Sequence, residues 1–480
     1  RFAATVPISG SAYTYAYTSL GEIVAWILGW NLLLEYAISN VAVAISWSKY
    51  FVDLLEGLGL PVPEFLTMDY LSAKRAFSEA EPLLQSGQSL QSLSVNIREG
   101  YLAYESAPTI FGWHFVANIP ALFITIAITY LVYIGIKESK NTNNVLVVLK
   151  LLVIAIVIGV GAFYVQVENW TPFAPNGISG VLKSVAAVCF AYIGFDSIST
   201  TAEECKNPQR DIPKAMMWAL IICTVLYVLV TLVLTGIVPS QQLAGIEDPL
   251  AFMFMKVNLP GVAGVVAASA VIALTSALLV YQLGQPRIWM TMSRDGLLPK
   301  AFSRIHPKYR TPSFSTIMTG VLVGVPALFA NLEEVINLSS IGTLFAFVLV
   351  CFGVLVLPRI SPDIKSKAFR LPYINGQLII PALAAIFIYF SKERIANAFV
   401  QAGNEGYQEI LFLVFVFVLI IVAIFSFIKK YSIIPIIGAM CCLYLMIEIP
   451  PVSWLWFFIW MAIGLVFYAS YGRKHSKLNS

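Results

Sequence analysis

An acidic residue interrupts one of the most apolar stretches of the chain. Between residues 180 and 205 the sequence reads Phe190-Ala191-Tyr192-Ile193-Gly194-Phe195-Asp196, followed by Ser197, Ser199, Thr200 and Thr201. A carboxylate near a bilayer centre costs about 2.5–3.5 kcal/mol on insertion scales. The adjacent Gly194 weakens a helix just where main-chain groups would otherwise be paired. A broken helix is the expected outcome. Unwound backbone at membrane depth is tolerated only where it faces protein or a wet cavity, so the stretch points to a solute site halfway across a membrane.

Other polar groups are embedded in the same apolar background. Asn31, Glu35 and Ser39 recur at i, i+4 and i+8, which places them on one helical face. Glu35 reads either as a proton-carrying or substrate-lining carboxyl, or as a structural hydrogen-bonding group between helices. Lys150 stands in a run of Val, Leu and Ile. It either snorkels to an interface or is a desolvated amine able to lose and regain a proton. Thr275 and Ser276 have three readings: packing devices bonded to helix carbonyls, a cation lining, or partners for Lys150. Gly320-x-x-x-Gly324 reads as close helix packing.

The elements that must hold these groups are membrane helices. Of 480 residues 59% are hydrophobic and only 12% charged, with a mean hydropathy of +0.80, against about 25% charged in soluble domains. Windows of about twenty apolar residues fall near 18–52, 114–136, 144–166, 180–203, 213–237, 261–290, 313–331, 333–357, 376–391, 408–428, 431–448 and 452–471. The chain begins with Arg1, not a start methionine, and its first residues read as the tail of a further segment. Alternate loops carry most of the thirty basic residues, among them Lys206, Arg210 and Lys214, then Arg294 through Arg310, then Arg473 and Lys474. The positive-inside rule places these loops and the C-terminus in the cytoplasm. The acidic loop 53–112 is then external and reads as a small helical cap.

Several function classes drop out. No G-x-x-x-x-G-K-[ST], HExxH or G-x-S-x-G occurs, so no ATPase, zincin or hydrolase signature is present. The six cysteines lie in or beside apolar runs without metal-site spacing. We therefore expect no enzyme, no cofactor and no metal, and no nucleic-acid partner for the basic loops, which suit the membrane surface and its lipid. An ion gradient is the simplest energy source.

Four ordered stretches carry a family resemblance: Val6-Pro7-Ile8-Ser9-Gly10-Ser11-Ala12-Tyr13, Gly29-Trp30-Asn31-Leu32-Leu33-Leu34-Glu35-Tyr36, Phe190 to Asp196 with Asn207-Pro208-Gln209-Arg210, and Ser293-Arg294-Asp295-Gly296-Leu297-Leu298-Pro299. The chain resembles the amino acid-polyamine-organocation superfamily, most closely the cationic amino acid transporter branch and its bacterial homologues. The resemblance implies an all-α, leucine-transporter-like fold of two inverted five-helix repeats with discontinuous helices and a midplane site for an L-amino acid. It implies one membrane domain, with residues 1–166 completing the first repeat, 180–357 forming the second and 376–471 adding C-terminal helices. The family's first helix is missing from this sequence. Carried over by position, the carbonyls of Phe190, Ala191 and Ile193 would hold the substrate ammonium beside Gly194 and Asp196. Tyr281 and Gln282 would tune the side-chain pocket, and Lys150 and Glu35 would couple protons to transport. The expected function is a proton-coupled amino-acid permease of the plasma membrane. An exchanger or a membrane amino-acid sensor of the same fold is the alternative, and a small membrane subunit is a partner left open.

Overall fold

The computed structural model describes residues 13, 21–110, 112–135, 140–175, 177–195, 198, 205, 207–243, 246, 248–356, 373–401 and 406–476. Helices dominate. Each apolar window of the sequence finds one: α1 (Glu22–Gly57), α4 (Ile119–Tyr133), α5 (Lys140–Gly161), α6 (Gly177–Val188), α7 (Pro208–Ile237), α9 (Pro260–Arg294), α10 (Ser313–Phe329), α11 (Leu332–Val356), α12 (Ile379–Phe390), α14 (Tyr407–Lys429), α15 (Ile433–Ile447) and α16 (Pro451–Phe467). Smaller helices α2 (Tyr70–Gln85) and α3 (Val95–Ser106) form the cap expected in loop 53–112. Two further ones, α8 (Pro249–Lys256) and α13 (Lys392–Gln401), lie between spans. The strands, Thr109–Ile110 and Trp113–His114, make a two-residue ladder beside the cap.

Among the described residues seven helices are long and apolar enough to cross a membrane, and four shorter apolar helices accompany them. The protein is a multi-pass membrane protein. Proline opens α7, α8, α9 and α16, where its missing N–H would be unpaired in any case. Asn118 caps α4 by accepting the Ala121 N–H at 3.1 Å, and it also receives the Ser48 hydroxyl at 2.6 Å.

The longest helix among the described residues, α1, has 36 residues and runs about 54 Å at 1.5 Å per residue, more than the roughly 30 Å hydrocarbon core. It is buried along most of its length and forms the axis of the bundle, with α9, α11, α4, α10 and α16 against it. Trp30 on α1 and Trp460 on α16 stack at 4.7 Å and exchange indole-to-carbonyl hydrogen bonds of 2.8 and 3.0 Å. Gly464 makes this docking feasible, because a Cβ there would lie 2.4 Å from the Trp30 ring. The periphery is apolar outward: Leu152, Trp218, Val225, Phe417 and Val466 are exposed, as a lipid-facing surface requires. The C-terminal helices α12, α14 and α15 share an aromatic cluster around Phe387, Phe415 and Tyr444 and pack onto Cys351, Phe352 and Leu355 of α11.

At one end of the bundle the Tyr13 hydroxyl donates to Asp295 at 2.7 Å and Tyr468 donates to Glu22 at 2.8 Å. At the opposite end the cap is tied down. Lys49 bonds Glu99 of α3 at 3.0 Å, Arg75 of α2 pairs with Glu334 at 2.9 Å, and Asn331 donates to Ser72 at 2.7 Å.

Candidate functional site

The helix that opens at Gly177 does not continue through its apolar segment. It ends as an α-helix at Val188, tightens into a 3₁₀ turn over Cys189–Tyr192, and turns at Ile193 and Gly194. Gly194 has φ +105°, a conformation that side-chain-bearing residues rarely adopt. The break therefore falls at the expected glycine. Tightening to 3₁₀ and then turning releases main-chain groups from i to i−4 pairing. One of them, the Ala191 carbonyl, accepts the Tyr227 hydroxyl at 2.7 Å, and the neighbouring Tyr192 hydroxyl meets Thr224 at 3.0 Å. Both contacts hold the turn against α7.

Tyr281 on α9 closes the opposite side. Its hydroxyl is 3.5 Å from the position a Gly194 Cβ would take. Its ring stands edge-on to Tyr36 at 5.8 Å. Tyr36 in turn lies against Gly284, where an added Cβ would come within 2.9 Å of the ring. One turn further along α9, Gln285 donates to the Leu33 carbonyl at 3.2 Å. The antiparallel register of α1 and α9 thus brings Gly194, Tyr281 and Tyr36 together, with Glu35 next to Tyr36 in the chain and only 2% exposed. Gln282 is 0% exposed, and its amide oxygen and nitrogen both lack a hydrogen-bond partner among the described residues.

The face carrying Glu35 looks inward as its spacing required. Asn31 donates to the Gly342 carbonyl at 2.8 Å and Ser39 bonds Ser339 at 2.8 Å, so Asn31 and Ser39 both dock on α11. Thr275 makes a helix-carbonyl bond, one of the readings its sequence allowed. Its hydroxyl donates to Val271 at 2.7 Å and accepts the Trp47 indole N–H at 2.8 Å. Ser276 is buried. Lys150 is half-buried on α5, a helix that packs against α7 and α9. Phe190 belongs to the 3₁₀ turn, but its side chain lies outside the described residues, as does Asp196 altogether.

Sequence reasoning did not assign roles to Tyr36 or Tyr227. The signal for Tyr36 was its place beside Glu35. Tyr227 carries no local signal, because its partner Ala191 is 36 residues away.

A helix that breaks at mid-segment opposite a tyrosine is a feature that membrane-transport folds use. The family model described as amino acid permease matches residues 1–424, and the model for the C-terminus of such permeases matches residues 431–476. The chain belongs to the amino acid permease family. It is 37% identical, over all of its length and 83% of the relative's, to the branched-chain amino acid permease BcaP of Bacillus subtilis (strain 168). It is 36% identical over the same shares to the methylthioribose transporter of that organism. With 30% identity it also matches the vacuolar cationic amino acid transporter 4 of Arabidopsis thaliana, over its full length and 84% of that protein's. The family's members are transporters, and the chain is an amino-acid permease, not an enzyme.

Proposed function

We propose that this permease is a proton-coupled symporter for L-amino acids, working by alternating access around the break at Ile193 and Gly194. The observation that carries the reading is the positive φ of Gly194 opposite the Tyr281 hydroxyl. Broken helices at membrane depth turn main-chain N–H and C=O groups toward a solute, and an amino acid's ammonium and carboxylate are complementary to them. Tyr281 and Tyr36 offer aromatic walls for a substrate side chain. The unpartnered amide of Gln282 is a polar group that a bound solute or an ordered water would satisfy. Phe190 and Ala191 lie in the turn, Asp196 is assigned to the same site from the sequence alone, and Thr275 and Ser276 support α9 in this reading. The likeness to the branched-chain permease favours apolar side chains as cargo, and the likeness to the plant transporter keeps cationic ones in the panel.

Lys150 and Glu35 are the proposed proton carriers, since each is an ionisable group on a helix of the bundle. The membrane is the plasma membrane, with basic loops and C-terminus inside, as the positive-inside rule directs. The two inverted repeats are taken as residues 1–166 and 180–357. A second reading is motivated by the methylthioribose transporter, at nearly equal identity to the first relative: a thio-sugar cargo in the same site. Competition in proteoliposomes separates them. Uptake of radiolabelled L-leucine, L-valine or L-lysine that is driven by an inward proton gradient and unaffected by methylthioribose supports the first reading. Uptake of methylthioribose alone supports the second, and passive equilibration without accumulation removes proton symport.

A further inference from the structure

Away from the transport site, α4 and α10 lie side by side at the lipid-facing edge and leave an apolar groove of about 450 Å³ between them. Its walls are Leu122, Ile126, Tyr130, Ile317, Val321 and Val325. Gly320 and Gly324 form its floor, where they let α4 approach so closely that a Cβ on Gly320 would fall 2.6 Å from Thr129. Ile126, Tyr130, Val321 and Val325 are all more than half exposed. From Leu122 to Tyr133 the groove covers eleven helical steps, about 16 Å, or roughly one leaflet of a 30 Å core.

The end at Tyr133 is not apolar. Thr311 donates to the Tyr133 carbonyl at 2.7 Å, tying the loop before α10 to the end of α4. Tyr133, His306 and Tyr309 form a ring cluster, with centroids 5.6, 5.8 and 4.8 Å apart. The loop itself is a closed turn: the His306 N–H donates to Thr311 at 2.8 Å, the Arg310 N–H donates to His306 at 2.9 Å, and the imidazole Nδ1 accepts N–H groups of Lys308 and Tyr309 at 3.2 Å each. Arg310 is held at φ +55°. Lys308 rests over the Tyr309 ring at 5.3 Å and, like Arg310, is exposed. The apolar slot thus ends beside an ordered turn that carries two exposed cations, Lys308 and Arg310.

We propose that this groove seats an acyl chain of an anionic phospholipid, whose phosphate is held by Lys308 and Arg310. The apolar slot supplies burial for the chain, and the two cations at its mouth supply the charge complement for the headgroup. The position of the basic turn at the groove's end distinguishes a lipid from a second apolar helix, which would gain nothing from the cations.

The test uses the whole protein in nanodiscs of phosphatidylglycerol and phosphatidylcholine, with native mass spectrometry counting the lipids retained. Wild type should retain phosphatidylglycerol in preference. Lys308→Gln/Arg310→Gln should lower that preference by about fivefold per basic residue removed, with unchanged total chain occupancy. Val321→Trp, which fills the slot, should lower retention of both lipids. Free inorganic phosphate should displace neither. Equal retention of the two lipids by wild type overturns the proposal, as does an unaltered preference in the double variant. Efficient cross-linking of Val321→Cys between two copies, or a co-purified hydrophobic peptide in the groove, would also overturn it by giving the slot another occupant.

Discussion

Replacing Gly194 by alanine isolates the backbone requirement of the proposed transport site. At φ +105° the residue occupies a region that is nearly glycine-only, and holding an L-residue there costs about 1–3 kcal/mol. Steric cost adds little, because the nearest atom to the new Cβ, the Tyr281 hydroxyl, stands at an ordinary contact distance of 3.5 Å. If the turn is the binding-competent form, that penalty raises the apparent Kd by about 5- to 150-fold. Binding would be measured by scintillation proximity on purified protein and transport by uptake into proteoliposomes. Gly159 provides the control: it lies inside α5, and nothing stands within 4 Å of its added Cβ. Gly159→Ala should be neutral or stabilising by about 0.5–1 kcal/mol. Gly194→Leu, whose branches must displace Tyr281, should insert normally and not transport. Wild-type affinity in Gly194→Ala, or wild-type uptake in Gly194→Leu, would refute the assignment of the site to this turn.

Lys150→Ala should abolish acid-stimulated uptake while retaining measurable substrate binding; an unchanged pH profile would take Lys150 out of the coupling. Gly464→Val should lower the thermal midpoint by an amount equivalent to about 1–3 kcal/mol of overpacking, because its Cβ would meet the Trp30 ring at 2.4 Å, and an unshifted midpoint would show that α16 can move aside. Asp248, at the start of α8, has its pKa raised by burial and by Glu99, with Lys49, a hydrogen bond from Asp53 and its own backbone opposing. A carboxyl raised in the fold carries no penalty below its unfolded pKa and loses stability as pH rises through the folded value. Thermal stability should therefore decline from acid towards neutral pH, and Asp248→Asn should flatten that slope.

The spans were legible in the sequence because hydropathy over about twenty residues is set by the bilayer itself. The break was legible because Gly194 beside Asp196 violates the rules for a lipid-facing helix. What the sequence concealed was pairing at long range. Tyr36 meets Tyr281 through the register of two antiparallel helices, and Trp47 meets Thr275 from 228 residues away. Trp30 and Trp460 look like ordinary interfacial aromatics until their reciprocal bonds are seen. The short helices α8 and α13 were missed since 8 and 10 residues give a weak periodic signal beside neighbouring spans. Thr275 illustrates the limit: its bond to the Trp47 indole crosses from α9 to α1, and nothing local in the sequence points to that partner.

The most direct test of proton-driven amino-acid transport is uptake of a radiolabelled L-amino acid panel into proteoliposomes, measured with and without an imposed inward pH gradient. The account predicts that at least one L-amino acid accumulates above its equilibrium level only when the outside is acid, and that Gly194→Leu removes this accumulation. Equal uptake with and without the gradient, or no L-amino acid uptake by the wild type, would contradict it.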